Sequence, residues 1–258
     1  MKFRRNMLLE ISAESISGIE FSKNILLNRV KNIAYGNTYN KDTLNIKEFK
    51  TDIRNKNLYI LVEGETIYIK IITLPLVKKY QINDLIKNEL RYYYKDIDHI
   101  SFTYKIIKKD KLNMEILVFC ISGNSLDILE NCIENNINFK KVNTIQFCFK
   151  NYYCNKINEK NYILVFYYNC KIYFLICHND EIVANTIIRV MDSFLFKFSY
   201  AMNEFLDQYN DYAKLCNKIY YANVEGINIE GFKYHTLSNV ILENLEWEKL
   251  VKYIIIKG

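Results

Sequence analysis

Leu58–Tyr94 reads LYILVEGETIYIKIITLPLVKKYQINDLIKNELRYYY. Two runs rich in Ile, Tyr and Val, Leu58–Val62 and Thr66–Leu74, flank Gly64. Alternating β-branched and aromatic residues on both sides of a glycine predict a hairpin, with Gly64 supplying the positive φ of a tight reversal. Pro75, the only proline in the chain, closes the second run, because proline cannot donate to a sheet ladder. The period then changes from two to 3.6. Ile82, Leu85, Ile86, Leu90 and Tyr93 fall on one side of a helix, and Asn83, Asp84, Lys87, Asn88 and Arg91 on the other. Strand, turn, strand, proline and amphipathic helix define an α/β chain.

Upstream, Met7–Ile11, Ser15–Phe21 and Ile25–Ile33 read as three short strands with turns at Ala13–Glu14 and Ser22–Asn24. Tyr35–Asn57 is polar, with a short helix expected around Leu44–Ile53. Downstream, strands are expected at Ser101–Ile107 and Met114–Ile121, a helix at Ser125–Asn135, a strand at Phe139–Asn143 and a helix near Ile145–Tyr153. Then the opening pattern returns. Tyr162–Tyr168, Lys171–Cys177 and Ile182–Ile188 form a second three-stranded meander, and Leu8 to Phe21 spans the same distance as Ile163 to Ile176. A helix at about Asp192–Asp211, a strand at Lys218–Ala222, a loop with Gly226 and Gly231, a helix near Leu237–Leu245 and a last strand at Val251–Ile256 complete the expectation. Two halves, each opening with a meander, point to a duplicated α/β unit.

Five stretches together resemble the PilM-like proteins of type IV pilus assembly, within the actin-like ATPase superfamily. LLEISAESISGIEF, from Leu8, sits where that family has a strand, a DIGSSSIK-like turn and a second strand. IYIKIITLP is similar to its strand ending in Leu-Pro. INDLIKNELRYYYKDIDHISFTYKII is similar to its helix with a central Glu and the strand that follows. MEILVFCISGNSLDILENCIENNINFKKVNTIQFC matches its strand, helix and strand before the second half. YILVFYYNCKIYFLICHNDEIVANTIIR repeats the meander. The resemblance covers nearly the whole chain. It implies an α/β, actin-like (ribonuclease H-like) two-half fold. Residues 1–150 would form the first half, with an inserted α/β subdomain at about 76–138, and residues 151–258 a reduced second half.

The departures from the family bear on chemistry. Phosphate hairpins of this superfamily need glycine for close backbone approach and an aspartate to position Mg²⁺ and water. The first hairpin has Glu10 for the aspartate and Ser12 for the glycine, and it carries Glu14 where phosphate would lie. The second has Phe166, Tyr167 and Tyr168 in place of Asp and Gly. The adenosine loop, a glycine cluster in the family, reads Asn223-Val224-Glu225 before Gly226. The segment from Arg189 to Asp192 runs straight into a helix, without the small subdomain that roofs the nucleotide. The expectation is a shortened, degenerate relative with no cofactor and no catalytic residues, a pseudo-ATPase.

Composition narrows the remaining options. The chain has 258 residues, half of them apolar, which suffices for a substantial core. Its net charge of +6 is spread over scattered lysine pairs rather than a basic stripe, so nucleic acid is not an expected partner. Seven cysteines without a CxxC pair read as reduced thiols, with Cys120, Cys148, Cys170 and Cys177 in apolar runs. The basic start MKFRRNMLLEIS is interrupted by Glu10 and is not read as a signal peptide. No run reaches the roughly 18 uncharged apolar residues of a membrane-spanning helix; the nearest, Tyr162–Cys177, is broken by Lys171 and reads as two strands of a hairpin. Cys177 and His178 are adjacent in a strand and face opposite ways, so no metal site is expected there. His99 and His235 are isolated. Ser122-Gly123-Asn124-Ser125 is not a nucleophile elbow and reads as a turn with a helix cap.

The resemblance therefore implies a cytoplasmic scaffold at the inner face of the membrane, in a type IV pilus or type II secretion complex. Its partner would be the short cytoplasmic tail of a bitopic, PilN-like membrane protein, with self-association a further expectation and the cytoplasmic domain of GspL a near variant. An extended tail would dock in a cleft floored by Thr66–Leu74 and walled by Leu85, Glu89 and Tyr93. Glu89 lies on the apolar stripe of its helix, where a carboxylate needs a partner or a groove. The plainer reading of Glu89 is a satisfied structural acid, and of its neighbours the seam between subdomains. An active actin-like ATPase, or an interaction module of this fold with other duties, are the alternatives.

Overall fold

The computed structural model describes residues 5–12, 15–22, 34–41, 53, 56–64, 67–94, 100–122, 138–190, 194–225 and 237–256. Its frame is two five-stranded mixed sheets of the same topology. The first runs in the order β3 (Ala34–Lys41), β2 (Ile16–Ser22), β1 (Arg5–Ile11), β4 (Lys56–Val62), β8 (Asn138–Thr144). The second runs β11 (Glu181–Arg189), β10 (Lys171–His178), β9 (Asn161–Tyr168), β12 (Lys218–Ala222), β13 (Ser238–Ile241). In each, an antiparallel meander is extended by two parallel strands, β4 and β8 in one, β12 and β13 in the other. The duplicated unit read from the two meanders is present.

Central strands carry the most continuous apolar runs. Leu58–Val62 of β4 and Tyr162–Phe166 of β9 are buried along their length, as strands covered on both faces must be. The tight hairpins of the second meander turn through Asn169-Cys170 and Asn179-Asp180, all four at positive φ, the primed turn that suits strand twist. Cys170 is consequently exposed rather than part of an apolar run, whereas Cys120, Cys148 and Cys177 are buried. Burial pushes the thiols of Cys120, Cys148 and Cys177 up to about 12, so they are inert.

The Leu58–Leu74 hairpin does not form. β4 lies between β1 and β8, while β5 (Ile67–Pro75) leaves for a separate three-stranded sheet, β5-β7-β6, with β6 at Ile100–Lys109 and β7 at Asn113–Ser122. Gly64 does take positive φ, at +94°, but it redirects the chain between sheets. A Cβ there would meet only the end of the Lys171 side chain, with Nζ 3.4 Å away, an ordinary contact. The amphipathic helix α1 (Lys79–Tyr93) covers one face of this inserted sheet. Ile82, Ile86 and Leu90 pack on Ile72, Leu74, Ile116 and Val118, each burial worth roughly 2 kcal/mol.

The third strand of the first meander is β3, inside the stretch read as polar; Ile25–Ile33, the helix at Ser125–Asn135 and most of Leu44–Ile53 lie outside the described residues. α2 (Ile145–Tyr153) follows β8, and α3 (Phe194–Gln208) and α4 (Asn210–Ala213) follow β11. The chain passes from β11 to α3 within a few residues of Arg189. The last two expected elements are interchanged: Ser238–Ile241 is the strand β13 and Trp247–Ile256 is the helix α5. α5 buries Leu250, Val251, Ile254 and Ile255, a helical spacing that β-branched composition disguises. One core runs through both halves, joining Leu8, Tyr59 and Leu61 to Phe149, Phe166, Tyr173 and Ile254.

Candidate functional site

The two hairpins at Glu10 and Tyr168 meet in the cleft between the halves. The Tyr168 hydroxyl donates to Glu10 Oε1, and Ser17 Oγ approaches Oε2 at 3.5 Å. Glu63, at the carboxyl end of β4, is wholly buried. Its Oε1 accepts from Asn169 Nδ2 at 2.6 Å and lies 3.7 Å from Lys171 Nζ, and Lys171 is itself buried. Contacts spanning residues 10 to 168 and 63 to 169 thus tie the first half to the turn of the second.

This cluster is electrostatically strained toward protonation. Burial lifts the Glu63 carboxyl to about 7, with the Glu10 charge adding to the effect and Lys171 and Asn169 opposing it. Burial also raises Glu10, against the hydrogen bonds of Tyr168 and Ser17 and the charge of Lys171. Tyr168 is raised by burial and by the carboxylate it faces. Two carboxyls share one lysine.

Among the described residues, backbone groups at the mouth of the first hairpin are bonded within the chain. Ser12 N–H donates to Ser15 C=O at 3.0 Å, and Ser15 N–H donates to Ser12 Oγ at 2.9 Å, so the first turn closes on itself. Glu63 N–H donates to Ile11 C=O. Glu14 lies outside the described residues. Of the three aromatic residues read in the second hairpin, only Tyr168 faces Glu10. Phe166 is inside the core, stacked on Phe149 at 4.0 Å and on Tyr173 at 4.7 Å, and Tyr167 packs on the other face of the sheet. Where an adenosine loop would run, Asn223 sits at positive φ and clamps Leu245 through both amide atoms, at 2.6 and 3.0 Å. The cleft thus presents Glu10 and Glu63 with Lys171 as counter-charge.

Of the residues expected to hold a partner tail, Leu85 is half-buried against the core between α1 and the inserted sheet, and Glu89 is half-buried on the flank of α1. The Tyr93 side chain, like His99 and His235, lies outside the described residues. The open space beside β5 is on its free edge instead. A groove of about 400 Å³ there is lined by Ile67–Lys70, Tyr94, Asn185, Ile187 and Tyr209. Asn185 of β11 spans it, accepting from Ile69 N–H at 2.8 Å and donating to Ile67 C=O at 3.0 Å. Sequence reasoning missed Glu63, Lys171 and Asn185. Glu63-Gly64, an acid ending an otherwise apolar strand, was the available signal for the first.

Duplicated sheets of this order, halves joined at a cleft and an insertion after the fourth strand define an actin-like fold. No family model matches the chain, and no curated protein matches its sequence. Solved structures match it in fold. The cytoplasmic domain of EpsL, an inner membrane component of the type II secretion system of Vibrio cholerae, matches with a TM-score of 0.60 at 8% identity, over 98% of this chain and 95% of that one. The PilM–PilN type IV pilus biogenesis complex matches at 0.58 and 11% identity, over 97% and 95%. A Bacteroides thetaiotaomicron protein with an actin-like ATPase fold and unknown function matches at 0.55 and 12%, over 96% of each chain. Among the described residues, no helix is long and apolar enough to cross a membrane.

Proposed function

We propose that this chain is a non-catalytic scaffold of a type IV pilus or type II secretion assembly, placed at the cytoplasmic face of the inner membrane. The observation that carries this is the cleft. In an actin-like frame, the place of the nucleotide phosphates holds Glu10, Glu63, Tyr168, Asn169 and Lys171, bonded to one another across the halves. A fold that keeps its two-half architecture but fills the cleft with its own side chains is suited to holding a partner, not to turnover. The likeness over nearly whole chains to the EpsL cytoplasmic domain and to the PilM–PilN complex supports the assembly named.

The partner proposed is the short cytoplasmic tail of a bitopic membrane protein of the PilN kind. The test is a pull-down with a synthetic N-terminal cytoplasmic tail of a PilN-like bitopic protein, with and without ATP·Mg²⁺, repeated with Glu89→Ala. Retention that is independent of nucleotide is the expected result. A folded chain that retains no such tail sinks the scaffold reading. Unchanged retention by Glu89→Ala removes only the helix α1 flank as its site.

A further inference from the structure

β5 is an outer strand of the inserted sheet, and its free edge is only partly paired. The phase of the ladder says which groups face outward. In an antiparallel pair, residues alternate between those bonded to the neighbour strand and those whose N–H and C=O point away from it. Ile69 N–H and Ile67 C=O go to Asn185, so the odd-numbered residues of β5 point away from β7. The register with β7 is unbroken through Ile71 and Thr73, which are therefore in the same phase. Asn185 takes the edge only at Ile67 and Ile69. Among the described residues, nothing pairs with the outward groups of Ile71 and Thr73.

That stretch of edge opens on a groove of about 720 Å³. Its far wall is the junction of α3 and α4, with Tyr209 and Tyr212. Glu115, Asp207 and Asp211 line it against one cation, Lys70, and Asp211 is held by Lys214 at 2.7 Å. The chain as a whole carries +6, so this acidic groove runs against the charge of the rest of the surface. An unpaired strand edge is a template for another strand, and carboxylates beside tyrosine rings favour Lys or Arg.

We propose that this groove binds an extended basic peptide by strand addition to β5. The backbone of Ile71 and Thr73 pairs with the peptide, its basic side chains meet Glu115 and Asp207, and their stems lie on Tyr209 and Tyr212. Asn185 already makes, one turn of the pleat away, the two bonds that a neighbouring strand would make. The surface is distinct from the α1 flank and stands independently of the scaffold reading, since the edge and its charge are the same in any assembly.

The test uses fluorescein-labelled decapeptides alternating Lys with Val, and an acidic counterpart alternating Glu with Val, read by fluorescence anisotropy against the full chain. Thr73→Pro removes an outward N–H without removing a bond to β7. Glu115→Gln with Asp207→Asn removes charge and leaves the edge intact. Saturable binding of the basic peptide is expected, weakened about fivefold or more by either change, each equivalent to at least one lost hydrogen bond or ion pair. Thr73→Ala is expected to bind within about twofold of wild type, because only its side chain changes. The proposal is overturned by absent saturable binding, by equal binding of the acidic peptide, or by wild-type affinity in either folded variant. Circular dichroism establishes folding, and the charge variant keeps the test decisive should Thr73→Pro not fold.

Discussion

Glu63 is the residue whose surroundings have the clearest consequence. Its carboxyl titrates near 7 in the folded chain and near 4.5 when unfolded. Between those values the native state holds a proton that the unfolded state has released, so stability falls as pH rises from about 4.5 to 7 and levels off above. The change amounts to on the order of 3 kcal/mol at most. Groups shifted the other way, such as Glu20 held down by its hydrogen bond from Lys56, act below their ordinary value of 4.5 and leave this window clear. Chemical denaturation at a series of pH values is expected to show the decline in wild type and a shallower slope in Glu63→Gln, with Glu10 supplying what remains. Equal slopes would mean that Glu63 is ionised in the fold. Asn185 offers a second check. Asn185→Ala loses both bonds to β5, at a cost of about 1–3 kcal/mol by urea unfolding. Asn185→Asp keeps the acceptor for Ile69 N–H but turns an anion toward the Ile67 carbonyl, so it is expected to cost at least as much at neutral pH.

Elements were legible where period and burial agreed. α1 and the strands β6, β7, β9, β10 and β11 lie within a few residues of their expected places, because each buries one face or both against a partner close in sequence. Two of the misreadings share a cause: local propensity does not fix tertiary partners. A strand's propensity says nothing of which strand it pairs with, so Leu58–Val62 and Ile67–Pro75 looked like a hairpin although they belong to different sheets. Likewise VKYIIIK is β-branched, yet its burial against the core has a helical spacing, and tertiary packing overrides propensity. The helix makes a distinct mutational forecast. Ile254→Ala is expected to cost about 2–5 kcal/mol in thermal or urea unfolding, since Ile254 is fully buried. Ile256→Ala is expected to cost little, about 0.5 kcal/mol, because Ile256 is half-exposed. In a strand both would share one face and cost alike. The cleft was legible only in part. The loss of glycine and aspartate at Glu10 and Ser12 could be read directly, whereas the bonds from Tyr168 and Asn169 join residues more than a hundred positions apart.

At the scale of the whole molecule, the duplication sets what the chain can do. Across the two like halves, Tyr168 bonds Glu10 and Asn169 bonds Glu63, and the core is continuous between them. The inserted subdomain is joined to the second half through Asn185. Ligand linkage gives this a direct consequence: a molecule that binds only the native state would raise its melting temperature with concentration, and ATP·Mg²⁺ is expected to leave it unchanged. Isothermal titration calorimetry of the chain with ATP·Mg²⁺ is the most direct measurement. The structure of the cleft predicts no saturable heat at millimolar nucleotide; micromolar binding with one site per chain would contradict it.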